Sequence, residues 1–285
     1  MLLAVGNLGA AQAQTYTHQI APGVYSHGTA QQYQSMFLVT DEGVAVFETV
    51  NSKHAAGLVK AIRKITDKPI VYAFHSHNHW DHASGGKVFQ DLGAKTVMHE
   101  FAAKWLKANP GQDTSPPNII MKGARQDFEL GGVTIEAHYL GQTHGMGMTV
   151  YLIPKTKSIY IADLVTPNRV MFNVVPDFNI GGWQRALGEI KKLDFENGVC
   201  SHNENPAKTL PNGCDRVDIE EELQYMVDLK AAIIAEFKKG TADVAGAIKL
   251  PQYAHWAHYD DWLEMNAWRV MLDMYMGPFP WNAEQ

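Results

Sequence analysis

One stretch of this chain limits what it can be more than any other: Phe74-His75-Ser76-His77-Asn78-His79-Trp80-Asp81-His82-Ala83-Ser84-Gly85-Gly86. It follows an apolar run and ends on two glycines. It therefore reads as the loop at a strand end, where a rigid scaffold presents functional side chains. Four histidines and an aspartate crowded there cannot all be buried without partners. Neutral imidazole and carboxylate are good ligands for a borderline cation such as zinc. Alternate residues of an extended segment point the same way, so His77 and His79 can grip one ion. A turn at Trp80 and Asp81 redirects Asp81 and His82 toward a second ion. The competing reading is a solvated, histidine-rich loop that binds nothing.

The rest of the chain must build a scaffold for that loop. Its 285 residues allow one large domain or two small ones. With 46% hydrophobic and 19% charged residues, the composition is that of an ordinary globular protein. Such a chain buries a sizeable core without needing disulfides. A net charge of -6 argues against a nucleic-acid backbone as the main partner, although it leaves room for a local basic patch.

Short β-branched or aromatic runs read as strands at 35–40, 44–48, 70–74, 96–98, 134–139, 149–153, 158–161 and 198–201. Apolar spacing near 3.6 reads as helices at 53–65, 100–107, 183–193, 218–239, 242–248 and 260–275. Ser52 is a candidate cap for the first helix and Gly240 a stop for the long one. Residues 109–118 (NPGQDTSPPN) form a surface loop and not a domain boundary, because apolar patterning resumes on both sides. Short strands mixed with helices from end to end fit a layered α/β sandwich better than a doubly wound parallel sheet. Residues 14–285 are read as a single domain.

Residues 1–13 are apolar and uncharged and end Ala11-Gln12-Ala13, a cleavage pattern of exported proteins. They are read as the remnant of a signal peptide, which places the protein in the periplasm or outside the cell. The alternative is an alanine-rich terminus. No apolar run reaches the roughly 20 residues of a membrane span. Cys200 and Cys214 could close a short loop in an oxidising compartment, worth about 3 kcal/mol, or could be unrelated thiols.

The motif segment resembles the H-x-H-x-D-H signature of the metallo-β-lactamase-like superfamily, with His77, His79, Asp81 and His82 at its fixed positions. The resemblance continues in order. Gln142-Thr143-His144-Gly145-Met146-Gly147 is similar to the third-histidine loop, usually H-T-P-G, with the Thr-Pro pair replaced. Tyr160-Ile161-Ala162-Asp163-Leu164 resembles the strand ending in a bridging aspartate, and Val199-Cys200-Ser201-His202 the strand ending in the last histidine. The resemblance implies a four-layer αββα sandwich with metals in a cleft at one edge of the two sheets. It implies one site from His77, His79 and His144 and a second from Asp81, His82 and His202, with Asp163 bridging. His75 is expected behind the motif as a supporting donor. His255 and His258 are candidates to line the pocket, while His18, His27, His54 and His138 read as structural or exposed.

The expected chemistry is that of a dizinc hydrolase, with iron or manganese as alternative metals. A metal-bound hydroxide would cleave an ester, lactone or amide bond of a small, apolar substrate, and Asp81 would orient the nucleophile and take its proton. Having His79 where diiron flavoproteins carry Glu departs from that branch. Having Asp163 departs from β-lactamase branches with Cys or Ser at that place. The alternatives are β-lactamase activity, a mononuclear iron oxygenase similar to persulfide dioxygenases, hydrolytic dehalogenation, or a non-catalytic metal-binding protein. The apolar stretch 170–178 and Trp256, Trp262, Trp268 and Trp281 are pocket candidates. Trp262 and Trp268 are expected instead as helix-core residues packing on the sheet.

Overall fold

The computed structural model describes residues 15–29, 33–174, 176–202 and 214–278. The leader-like residues 1–13 and Trp281 lie outside them. Two sheets organise these residues. The first runs in sequence order through β1 (Thr15–Ala21), β2 (Val24–Thr29), β3 (Gln34–Val39), β4 (Val44–Phe47), β5 (Ile70–Phe74), β6 (Lys95–His99) and β7 (Ile119–Met121). β1 to β4 pair antiparallel, and β4 to β7 pair parallel. The second sheet has the order β12-β11-β10-β9-β8, built from β8 (Arg125–Leu130), β9 (Val133–Tyr139), β10 (Thr149–Ile153), β11 (Ser158–Ala162) and β12 (Asn197–Cys200). Only β11 and β12 pair parallel there.

Helices cover the outer faces. They are α1 (Ser52–Arg63), α2 (Trp80–Ala83), α3 (Gly86–Asp91), α4 (Glu100–Ala108), α5 (Ile180–Ile190), α6 (Arg216–Lys239), α7 (Val244–Ala247) and α8 (Tyr259–Met276). The side-chain period of two decides which layer each strand residue serves. Met36, Leu38, Ala45, Phe47 and Phe74 point into the core that joins the two sheets. Their neighbours Phe37, Val44, Val46 and Ala73 point the other way, onto Leu58 and Ile62 of α1 and Phe89 of α3. β10 and β11 are buried along their whole length, the pattern of strands covered on both faces. Trp183 and Leu187 of α5 and Tyr225 and Leu229 of α6 belong to the same core as Ile159, Ile161 and Val199 of the second sheet. The result is the αββα sandwich expected from the sequence.

Between the sheets, aromatic rings fix the edge that carries the motif loop. Phe74 stacks on Phe47 at 5.2 Å and meets Tyr151 at 4.8 Å and Phe128 at 5.1 Å. Truncating such a ring to alanine costs about 3–5 kcal/mol. The Tyr151 hydroxyl donates to the His75 carbonyl at 2.6 Å, so β10 holds the first residue of the motif loop. The Tyr160 hydroxyl lies 2.7 Å from Ser201 Oγ and donates to the Gln34 carbonyl at 3.0 Å, which ties β11 to the end of β12 and to the first sheet.

Two local expectations change. Asn51, not Ser52, caps α1: its side chain accepts from the His54 amide at 2.9 Å. Ser52 instead gives its amide and hydroxyl to Asp113, in the 109–118 loop. Trp268 is not core but 45% exposed, whereas Trp256 is buried and Trp262 packs on the Phe172 ring at 4.9 Å. Gly240 does end α6, at φ 74, where a Cβ would be strained.

Candidate metal centre

Three strand ends and one helical turn converge on one edge. β5 delivers His77 and His79, the single turn of α2 delivers Asp81 and His82, β11 runs into Asp163, and β12 runs into His202. His144 arrives on the loop before β10. Asn78, fully buried, brings that loop in: its Oδ1 accepts from the Met146 amide at 2.6 Å, and its backbone N–H donates to the Met146 carbonyl at 3.2 Å. Gly145 is required by the fit, since a Cβ there would come within 2.7 Å of Asn78 Oδ1 and 2.8 Å of His77 Cδ2.

The seven residues singled out in the sequence meet here. Ligand atoms of His77, His79 and His144 lie within 4.8 Å of one another, and so do those of Asp81, His82 and His202. Asp163 sits between the two groups. Its Oδ2 is 3.0 Å from His82 Nε2, 3.3 Å from His144 Nε2 and 3.3 Å from His202 Nε2. Tyr33 donates its hydroxyl to Asp81 Oδ2 at 2.8 Å, and its ring lies 4.5 Å from that of His202.

The donor set fits divalent metal ions. His77 Nε2 and Asp163 Oδ1 are buried polar atoms with no protein partner, as expected of atoms reserved for a metal. The outward nitrogens are engaged from behind, which fixes each tautomer. His77 Nδ1 is 2.8 Å from Ser76 Oγ, and His82 Nδ1 is 3.2 Å from Glu48 Oε2. The Ser76 hydroxyl donates to the same Glu48 oxygen. One buried carboxylate therefore serves a histidine of each group. Glu48 also lies with His77 and His82 in a third cluster of possible ligands. Its Oε2 already accepts from Ser76 and faces His82 Nδ1, so it supports the ligands from behind.

Charge is arranged to match. Burial, reinforced by the nearby His82 and His79, pushes the His77 imidazole far below its ordinary range and keeps it neutral. Burial likewise lowers His144 to about 4, against the pull of Asp163. Burial works to raise Asp163, but His82, His202 and the hydrogen bonds of His144 and His202 outweigh it and hold the group ionised. Asp81 is held well below the carboxylate range in the same way, burial being outweighed by His82 and by the hydrogen bond from Tyr33. Burial alone would neutralise His82, yet Asp163 and Asp81 dominate and keep it protonated without a metal.

The other histidines separate cleanly. His75 stands behind the loop, its Nδ1 3.2 Å from both Thr49 Oγ1 and the His82 carbonyl. His99 stacks on Tyr139 at 3.7 Å. His27 and His54 are lowered to about 4 by burial and belong to the scaffold. His255 is exposed, and His258 stacks on Trp262 at 3.8 Å, outside the metal groups. The space beside His144 and Asp163 is not purely apolar: Met171, Phe172 and Trp183 share its walls with Arg169 and Glu222.

Glu48, Tyr33 and Asp177, whose Oδ2 is 2.9 Å from His79 Nε2, are site residues that motif reading missed. A signal existed for Glu48, an acid closing the apolar run Val44-Ala45-Val46-Phe47. None existed for Asp177, which lies 98 residues from its partner.

Comparison with known proteins agrees with this geometry. The sequence profile of the Metallo-beta-lactamase superfamily matches residues 28–202, more than half of the chain. The chain belongs to the metallo-β-lactamase superfamily. Metallo-beta-lactamase IND-1 of Chryseobacterium indologenes is 28% identical over 171 residues, covering 59% of this chain and 70% of that protein. Among solved structures, a metallo-beta-lactamase from Pontibacter korlensis superposes with a TM-score of 0.65 at 19% identity, over 75% of this chain and all of that one. The inverting sec-alkylsulfatase Pisa1 from a Pseudomonas species superposes with a TM-score of 0.74 at 15% identity. It covers 92% of this chain, which spans half of the sulfatase. At these identities the structural likeness speaks to the fold. Membership makes the chain a metallohydrolase of that superfamily with a histidine-rich metal site.

Proposed function

We propose that this metallohydrolase is binuclear, with His77, His79 and His144 holding one zinc ion, Asp81, His82 and His202 a second, and Asp163 bridging both. The observation that carries this is the position of Asp163 Oδ2, within 3.3 Å of a histidine nitrogen from each group. Divalent metal bound there supplies a water activated near neutral pH and polarises the oxygen of the scissile group.

The chain's own residues do the rest. Asp81 is 49% exposed, so its carboxylate can orient the attacking water. Tyr33 holds the Asp81 oxygen in one direction through its hydroxyl. Phe172, which is exposed beside the metal ligands, offers apolar surface suited to the hydrocarbon part of an ester, lactone or amide. The second reading is β-lactamase activity, favoured by the likeness to IND-1.

We also propose that the protein works outside the cytoplasm, in the periplasm or secreted. The supporting observation is the Cys200–Cys214 disulfide, a bond of oxidising compartments, together with the Ala11-Gln12-Ala13 pattern.

The test is a hydrolysis screen on metal-quantified protein. It is run with esters, lactones, amides, alkyl halides and β-lactams, before and after chelation and zinc restoration. Cleavage that disappears with the metal and returns with it supports the proposal. Cleavage that survives chelation refutes it, and one iron per chain with oxygen uptake moves the protein to an oxygenase.

A further inference from the structure

The segment between Asp163 and α5 carries no motif, yet it reaches into the metal centre. Asp177 Oδ2 lies 2.9 Å from His79 Nε2, and both side chains are about four-fifths buried. An imidazole nitrogen that donates to a carboxylate has no lone pair for a metal. The contact therefore leaves Nδ1 of His79 as the nitrogen available to a metal held with His77 and His144.

Asp177 is itself held in place from far along the chain. The next residue, Phe178, sets its ring 4.5 Å from His144, and its carbonyl accepts from Arg269 Nε at 3.1 Å and from Nη2. Asn266 Nδ2 donates to the carbonyls of Met171 at 2.9 Å and Asn173 at 2.8 Å. Both gripping residues are fully buried and both belong to α8. That helix lies beyond the residues matched by the superfamily profile. Gln142 Nε2 adds a bond to the Asp177 carbonyl at 3.4 Å. α8 thus grips the loop at both ends and fixes where the Asp177 carboxylate stands.

We propose that Asp177 is a positioning residue that holds the His79 imidazole in its Nδ1-ligating tautomer and orientation. The inference rests on the reading of His77, His79 and His144 as one metal site. Such supporting partners typically change metal affinity by about 10–100-fold when removed.

The test is a cobalt(II) titration of metal-free protein, followed by visible absorbance, with wild type, Asp177→Ala, Asp177→Asn and His79→Ala side by side. Asp177→Ala is expected to bind one cobalt as wild type does and the other about 10–100-fold more weakly, with an altered ligand-field spectrum. Asp177→Asn keeps an acceptor oxygen for His79 Nε2 and is expected to fall between, which separates positioning from loss of fold. If His79→Ala loses one cobalt while Asp177→Ala binds both as wild type does, the role of Asp177 is overturned and the site stands. If His79→Ala also binds both as wild type does, the underlying site fails, and the proposal with it.

Discussion

Cys200 and Cys214 are both buried, and their bond joins residues 14 apart in sequence. Replacing both with alanine releases the unfolded chain from a closed loop of that size, which is worth about 3 kcal/mol. An unfolding entropy near 2.1 cal/mol/K per residue gives a chain of 285 residues about 0.6 kcal/mol/K. The double variant should then melt about 5 °C below wild type. In the folded state one tie remains, because the Cys214 amide still donates to the Gly198 carbonyl at 3.3 Å. A second effect concerns the site. His202 lies two residues beyond Cys200, so the Asp81, His82 and His202 group should lose metal affinity while the His77, His79 and His144 group keeps it. Scanning calorimetry of the double variant, and of wild type under reductant, reads the first effect. Metal titration reads the second. Equal melting temperatures for all three samples would refute the entropic argument, and equal loss at both metal groups would refute the local one.

Three further outcomes follow from charge. Burial raises the Glu222 carboxyl to about 8, against the pull of Arg169. A carboxyl raised on folding stabilises fully below its unfolded value of about 4.3 and loses that contribution as pH climbs through about 8. At 1.36 kcal/mol per unit the loss between about 4.3 and about 8 is about 5 kcal/mol, so urea midpoints should fall further from pH 5 to 9 in wild type than in Glu222→Gln; parallel curves would contradict this. His82 is protonated in the metal-free protein, so filling the site must expel its proton. Calorimetric binding enthalpies in buffers of different ionisation enthalpy should show this release, and it should drop by about one proton in His82→Gln. Glu48→Gln removes the charge shared by Ser76 and His82, and should weaken metal binding by about 10–100-fold without unfolding the chain; unchanged affinity would show that Glu48 is a spectator.

The metal cluster was legible because its chemistry is local. His77, His79, Asp81 and His82 fall within six residues, whereas His144, Asp163 and His202 were drawn to them by the ordered resemblance to the superfamily motifs together with placement near strand ends. Buried strands were legible for the same reason: β10 was expected at 149–153 and forms there, since its apolar run is covered on both faces. The hairpin of β1 and β2 and the edge strand β8 were missed because edges carry polar side chains. In Arg125–Leu130 only Phe128 and Leu130 turn inward. Asn51 took the cap from Ser52 because Asp113, remote in sequence, claimed the serine. Asp177 was hidden for a related reason. Its role depends on where α8 places a loop, and no local pattern encodes that contact.

The most direct measurement of the central claim is element-specific anomalous scattering from crystals of zinc-reconstituted protein. Two zinc peaks are predicted, one among His77, His79 and His144 and one among Asp81, His82 and His202, each about 2.0–2.2 Å from an Asp163 oxygen. A single peak, or a pair with Asp163 outside ligand distance of either, would contradict the binuclear site.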